Sequence, residues 1–292
     1  NGGCISATDP RQDLDQIGTG QEMFRAYFFQ SWATTPTGQR DWTAMDRTVA
    51  AAAAHGERVV AVLANEWAYC DGPQKFLGWW QSGYRTTVSP GEATTYRQWV
   101  SDVVSRYADN PAIGIWDLVN EGEGRAFDGI CAEAAATAAL SAFSNDVGSL
   151  VHSIDRQHVV TLGTVSGQCG SNEGDYATIY SSAGSDLCDY HNYGAPTVPM
   201  GNSDPYNGLQ VSIDRCHADG KPLAVLETGI HYTQLSPPTT ANRADLFAQK
   251  FAAQFSAGVV GELLWDYSPN PQVRWDYEIG PNDPALGVLS RF

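Results

Sequence analysis

Two short runs place carboxylates in settings where chemistry is open to them. The run AIGIWDLVNE (112–121) closes on Asn120-Glu121, and PLAVLETG (222–229) carries Glu227. A third, LCDYHNY (187–193), brings His191 and Tyr193. Paired carboxylic groups do acid–base and nucleophilic work on an acetal: one protonates the leaving oxygen while the other attacks the anomeric carbon. Metal chemistry has no comparable footing. The six His are scattered without H-E-x-x-H or H-x-H spacing, and the Asp- and Asn-bearing stretch 266–283 lacks EF-hand spacing. No metal and no cofactor is therefore expected.

For Glu121 and Glu227 to meet, the chain must bring distant runs to one rim. Seven β-branched or apolar runs recur: 23–30 (MFRAYFFQ), 58–65 (RVVAVLAN), 112–121, 158–165 (HVVTLGTV), 187–193, 222–229 and 259–267 (VVGELLWDY). Helical patterns lie between them. In 92–110, Tyr96, Trp99, Val100, Val103, Val104 and Tyr107 fall on one helix face, and in 239–257 Phe247, Phe251 and Phe255 repeat every four residues. Gly56 and Gly258 stand where helices stop, just before the next run.

Strands alternating with helices imply βαβ units and a parallel sheet. With no G-x-G-x-x-G or Walker loop, the expected fold is α/β of the (β/α)8 TIM-barrel class rather than a nucleotide-binding doubly wound sheet. The first 22 residues hold no strand pattern, so seven strands are visible where closure needs eight. Either the chain begins after its first barrel strand, or an irregular segment plugs the gap. No second domain, linker or repeat stands out, and residues 1–292 are expected to form one barrel domain.

In such barrels, catalytic groups sit at the C-terminal ends of strands. Counting the absent strand as first, Arg25 lies within the second, and the third ends Asn65-Glu66-Trp67. The fourth ends Asn120-Glu121, the sixth His191-Asn192-Tyr193, the seventh near Glu227, and the eighth carries Trp265. Two carboxylates, an amide, a His, a Tyr and a Trp on one rim suit glycoside hydrolysis. Glu121 and Glu227 are 106 positions apart. That puts them three strands apart, nearly across the mouth. Leu223, Val225 and Glu227 share one parity, so alternation puts the Glu in line with two inward-facing apolar side chains. Asn120 and Glu121 cannot both point inward on a regular strand, so a turn or bulge is expected there.

Charge and composition narrow the ligand. Lys+Arg is 17 against 33 Asp+Glu, a net charge of −16, which excludes a polyanion and disfavours anionic membrane surfaces. No apolar run approaches the ~20 residues that span a bilayer. The partner expected is a neutral polysaccharide or oligosaccharide bound by a monomer, with no nucleic acid and no membrane. Aromatic residues are 11% of the chain, and sugar rings present C–H faces that stack on Trp and Tyr. Trp32, Trp67, Tyr69, Trp79 and Trp80 lie in loops; Trp79-Trp80 either extend the sugar surface or anchor their loop. Six Cys without a C-x-x-C pair suggest an oxidising, extracellular location and up to three bridges, whose pairing is open. The chain starts at Asn1 without an apolar h-region, so any targeting segment is expected to have been removed or never present.

The run SRYADNPAIGIWDLVNE resembles the fourth-strand region of clan A retaining glycosidases. PLAVLETG resembles their seventh-strand nucleophile segment, and YHNY their sixth-strand His-x-Tyr. With Arg25 and Trp265, the likeness is to glycoside hydrolase family 5 across essentially the whole chain. It implies a (β/α)8 fold and endo-acting retaining hydrolysis of β-linked glycans. It also implies Glu121 as acid/base, Glu227 as nucleophile and Asn120 on the sugar 2-hydroxyl. Tyr193 would orient the nucleophile, Arg25 support its charge, His191 line the site and Trp265 lie beneath the reacting sugar. Asn65 and Trp67 are closer to mannan-acting members than to cellulases, and Trp32 joins the substrate-binding set. One departure is Gly122, where the family usually has Pro. Glu66 and Glu123 are rival rim carboxylates, and Asp117 reads as a structural one. β-Glucan or galactose-containing glycans, a transglycosylase, and a non-catalytic carbohydrate-binding barrel are the alternatives.

Overall fold

The six apolar positions that helical spacing picks out in 92–110 are the six that a helix over Tyr96–Tyr107 buries. Thr95 caps it, its side chain accepting from the Gln98 N–H, which satisfies one orphan donor of the first turn. The Phe-bearing helix starts on a Thr239 cap and stops at Gly258, in the left-handed conformation that glycine adopts without cost. In this computed structural model, residues 10–18, 21–271 and 277–292 are described. Cys4, the flanks of the strandless N-terminal stretch and residues 272–276 of the 266–283 stretch lie outside them.

In chain order the described residues form α1 (Pro10–Ile17), β1 (Met23–Tyr27), α2 (Thr43–His55), β2 (Arg58–Val62), α3 (Tyr84–Thr86), α4 (Tyr96–Tyr107), β3 (Ile113–Asp117) and α5 (Glu133–Ile154). They continue with β4 (Val159–Thr161), α6 (Gly174–Tyr180), β5 (Cys188–Asn192), α7 (Leu209–Ala218), β6 (Leu223–Gly229), α8 (Thr240–Ala257), β7 (Val259–Trp265) and α9 (Leu286–Leu289). Every ladder is parallel: β1-β2-β3-β4 form one sheet and β5-β6-β7 a second. A bridge between Thr161 and Leu187 joins the two. This is the order of a (β/α)8 barrel with seven strands among the described residues. Between β1 and β7, where no ladder is formed among those residues, lies a cavity of about 750 Å³ lined by Met23, Phe24, Leu263 and Leu264.

Two apolar layers hold the strands. Inside, Val60 of β2, Ile115 of β3 and Ala224 and Leu226 of β6 meet Leu187, just before β5, with Met23 and Leu263 packed against them. Outside, Val59, Leu223 and Val225 pack with helix residues such as Val103, Phe143 and Ile213. A strand covered on both faces reads as a continuous apolar run, as Leu223–Leu226 of β6 do, and every residue of β6 is buried. Most runs outlast their ladders because the chain peels away at the rim. Beyond β3, Val119 N–H reaches Leu162 O at 3.1 Å and Asn120 N–H reaches Ala64 O at 2.9 Å.

Trp79-Trp80 belong to the anchoring alternative. They lie in a π-helical turn over Trp79–Gly83, with both rings against Phe143. Disulfides join Cys131 to Cys169 and Cys188 to Cys216, and none of the described cysteines is free.

Candidate active site

Arg25 on β1 organises the floor of the site. Its guanidinium donates to Asp117 Oδ2 from Nε (3.0 Å) and Nη2 (2.7 Å), to Asn120 Oδ1 (2.8 Å) and, through Nη1, to Glu227. Burial alone would weaken that charge. Asp117 and Glu227 more than restore it, and the Arg25 pKa rises.

Asn120 and Glu121 both reach the site through a turn. Glu121 takes φ +52°, a left-handed conformation uncommon for a residue with a side chain. The sterically required kink is therefore present, directly after the bridge that pairs Asn120 with Asn65. Asn120 also donates from Nδ2 to Asn65 Oδ1 at 2.9 Å. Gly122 follows because Trp80 leaves no room: a Cβ there would sit 2.6 Å from its ring and 3.0 Å from Thr164 Oγ1. The family's usual Pro is excluded by the same contact.

Glu227 corrects the parity expectation. Leu223 and Val225 face outward to the helices, and Ala224 and Leu226 fill the barrel. Simple alternation from Leu226 would turn Glu227 out. The register between β5 and β6 slips between Tyr190 and His191, and that between β6 and β7 slips between Val225 and Thr228. The irregularity changes the phase of the strand. Thr228 now hydrogen-bonds Glu262, on the side of the α8 residue Lys250, while Glu227 points to Arg25. Re-aiming a side chain is what a bulge beside a site does.

The remaining polar contacts join the two carboxylates. Tyr193 donates its hydroxyl to Glu227 Oε2. His191 Nδ1 lies 2.9 Å from Glu121 Oε1 and 3.4 Å from Glu227 Oε2. Trp67 Nε1–H donates to Glu121 Oε2 at 2.7 Å. Glu121 is the more open of the two, its side chain 22% exposed against 4% for Glu227. A carboxylate oxygen of each, together with a His191 ring nitrogen, lies within 4.8 Å of the others. That trio is compact enough to hold an ion, but the Arg25 guanidinium and the donors on both carboxylates oppose a cation there. The sulfurs of Cys131 and Cys169, near Glu133, are tied in a disulfide.

Proton affinities follow from these contacts. Burial would raise Glu121, but the hydrogen bond and charge of His191, with Trp67 and Arg25, bring it down to about 2. Burial would neutralise His191, yet Glu227, Asp189 and Glu121 hold its pKa well above the usual imidazole value. Glu227 is pushed up by burial, against the pull of His191, Arg25 and the Tyr193 hydroxyl. In the substrate-free site the mobile proton thus rests on His191, beside a Glu121 carboxylate.

Of the other expected residues, Asn65 is scaffold. It is buried and donates from Nδ2 to Tyr69 O at 2.9 Å, while its own N–H is held by Asp71 at 2.8 Å. Trp32 donates to Cys70 O at 3.0 Å and meets Tyr27 and Phe29 edge-on, at the margin of the site. Trp265 ends β7, level with Gly229 of β6, and lines the same cavity as Arg25 and Tyr27. The rivals stand apart. Glu66 is buried near Lys75 and Trp80, its pKa pushed up to about 9 by that burial. Glu123 pairs with Arg125 at 2.9 Å.

Two residues were not singled out from the sequence. Tyr277 meets the Tyr193 ring edge-on at 5.0 Å, and both rings crowd the space a Cβ on Gly229 would need. Asp189 lies under His191 and shares its parity on β5, which was a usable signal. Tyr277, beyond the last strand, gave none.

No family model matches the chain. It is 26% identical over 270 residues to mannan endo-1,4-β-mannosidase A of Aspergillus aculeatus, covering 86% of this chain and 64% of that relative. It is 29% identical over 248 residues to mannan endo-1,4-β-mannosidase F of Aspergillus clavatus, covering 77% and 55%. The chain thus spans between about half and two thirds of these relatives. The endo-1,4-β-mannanase of Rhizomucor miehei superposes with a TM-score of 0.68 at 15% identity, over 98% of this chain and 90% of that one. By fold, the chain is a (β/α)8 barrel. The relatives named are mannan endo-1,4-β-mannosidases, in keeping with the mannan-acting resemblance drawn from the sequence.

Proposed function

We propose that the chain is a retaining glycoside hydrolase that cleaves β-1,4-mannan internally. The observation that carries the reading is the approach of Glu121 and Glu227 to within 4.8 Å. Carboxyl groups about 5–5.5 Å apart suit double displacement, whereas inversion needs about 6.5–9.5 Å to admit a water between them. The choice of mannan rests on the named activity of the relatives.

Glu227 is the nucleophile. Arg25 and the Tyr193 hydroxyl hold it as a carboxylate, one of its oxygens attacks the anomeric carbon, and the glycosidic C–O bond breaks. Glu121 delivers a proton to the departing oxygen. In the resting site that proton sits on His191 Nδ1, and it crosses to Glu121 Oε1 as the oxygen of substrate develops charge. Once Glu227 is esterified its negative charge is gone. Glu121, now a carboxylate, removes a proton from water, and the oxygen adds to the anomeric carbon as the bond to Glu227 breaks. Asn120, fixed by Arg25 and Asn65, faces the sugar 2-hydroxyl, and Trp265 lies beneath the ring. The two disulfides support a secreted enzyme, working as one barrel domain.

The test is product stereochemistry with variants. Proton NMR on mannohexaose should show the β-anomer appearing first, and Glu227→Gln should lose nearly all turnover while still binding oligosaccharide. An α-anomer as first product, or substantial turnover by Glu227→Gln, refutes the assignment.

A further inference from the structure

Asp189 is buried within β5, yet neither of its carboxylate oxygens has a hydrogen-bond partner at ordinary distance. An orphaned buried carboxylate needs a reason. Its nearest cation is His191 Nε2, itself without a hydrogen-bond partner, 3.5 Å from Asp189 Oδ2. On the far side of the same ring, Nδ1 lies 2.9 Å from Glu121 Oε1. Asp189 and His191 are two residues apart on β5, and the register slip between Tyr190 and His191 leaves their side chains facing each other at 3.5 Å. Carboxylate, imidazole and acid/base Glu thus form one line.

We propose that Asp189 is a positioning residue that keeps the His191 proton on Nε2, so that Nδ1 exchanges a single proton with Glu121 during the reaction. The inference rests on the reading of Glu121 as acid/base. An imidazole with a carboxylate on one nitrogen keeps its proton there and turns the other nitrogen to its reaction partner. With Nε2–H held, two arrangements differ only in where one proton lies: on Nδ1 beside a Glu121 carboxylate, or on Glu121 beside neutral Nδ1. The transfer that arms the acid moves one proton across one hydrogen bond, with nothing to reorient. Other groups facing the imidazole are Glu227 on β6 and, from β1 and β3, Arg25 and Asp117. Arg25 already neutralises Asp117 and Glu227, which leaves Asp189 as the anion not otherwise paired.

Asp189→Asn is the test. The asparagine has the same shape, and it removes one of two neighbouring buried anions, Asp117 being the other, so the fold is expected to hold. Its amide can donate to Nε2 and force the Nδ1–H tautomer, which leaves Glu121 without a proton source. Two substrates read this out: β-1,4-mannan, whose leaving group needs acid, and 2,4-dinitrophenyl β-mannobioside, whose leaving group does not. The variant should lose about 100-fold or more in kcat/KM on mannan and less than 10-fold on the activated glycoside. On mannan, its basic pH limb should move to lower pH, because an anion that stabilised the proton is gone. Glu121→Ala serves as the control for the underlying reading and should show the same leaving-group split. If Glu121→Ala shows the split and Asp189→Asn loses activity equally on both substrates with an unmoved limb, the Asp189 role is refuted and the acid/base reading stands. If Glu121→Ala shows no split, the reading itself fails. Imidazole ¹⁵N shifts of His191 in the wild type decide independently of how the variant folds: Nε2 should stay protonated across the active pH range, and an Nδ1–H tautomer overturns the proposal.

Discussion

Replacing Arg25 with Met removes the guanidinium that bridges Asp117 and Glu227 while keeping much of the side-chain volume. Both carboxylates are buried, with side chains 0% and 4% exposed, so neither recovers water when the guanidinium leaves. Breaking a buried pair by deleting one partner costs about 3–5 kcal/mol. A carboxylate has an escape, which is to take up a proton. Against an ordinary pKa near 4, that costs about 4 kcal/mol at pH 7 and about 1.4 kcal/mol at pH 5. With His191 left beside Glu227, one proton is taken up, and the loss should be about 3–5 kcal/mol near pH 7 and shrink to about 1–2 kcal/mol near pH 5. The sign is fixed by linkage: without Arg25 the folded-state pKa values lie above the unfolded ones, so stability is best below the unfolded values and is lost as pH rises from them through the raised folded ones. Urea unfolding of wild type and Arg25→Met at the two pH values measures it. Equal losses at both would refute the view that the guanidinium serves to hold these carboxylates ionised.

Trp67→Phe removes the donor to Glu121 Oε2. The bond favours the carboxylate, so without it the titration of the Glu121 carboxyl itself should rise by about one unit, a change of about 1.4 kcal/mol, read by ¹³C NMR of its carboxyl carbon, and an unmoved titration would show the contact to be idle. Gly122→Ala forces a methyl to 2.6 Å from the fully buried Trp80 ring. Thermal unfolding should report about 1–3 kcal/mol of overpacking, relieved by Trp80→Phe; a neutral change would mean the ring yields. Replacing Cys131 and Cys169 with Ser opens a span of 38 residues, which chain entropy values at about 4 kcal/mol. Urea midpoints check it, and a loss below about 1 kcal/mol would show that the span stays ordered without the bridge.

Much of this site was legible in the chain because it depends on local spacing. The α4 face and the glycine stops of α2 and α8 are periodic or conformational signals, and each falls where its residues dictate. The turn at Glu121 was legible as a steric necessity, since two successive residues cannot share one face of a strand. Glu227 was assigned the right destination by the wrong route. Alternation along PLAVLETG is a local rule, and the slip that overrides it is set by the pairing of β6 with both neighbours, which no single run encodes. Tyr277 and the disulfide pairings were illegible for the same reason: they depend on which segments meet. Trp79 and Trp80 showed the reverse ambiguity, because an aromatic in a loop has the same spelling whether it faces sugar or Phe143.

The two carboxylates belong to different sheets. Glu121 follows β3 in the first and Glu227 lies on β6 in the second, and among the described residues a single bridge, Thr161 to Leu187, ties the sheets by backbone. The polar ties across the mouth are side chains, Arg25 reaching from one sheet and His191 from the other, above an apolar layer that both sheets share. A relative slide of under about 2 Å would carry the pair from the spacing of retention toward that of inversion. On the proposed reading, the handedness of the released sugar is a ruler laid between the halves of the barrel. On that reading, a substitution that loosens the Thr161–Leu187 junction should be read in the fidelity of the product as well as in stability.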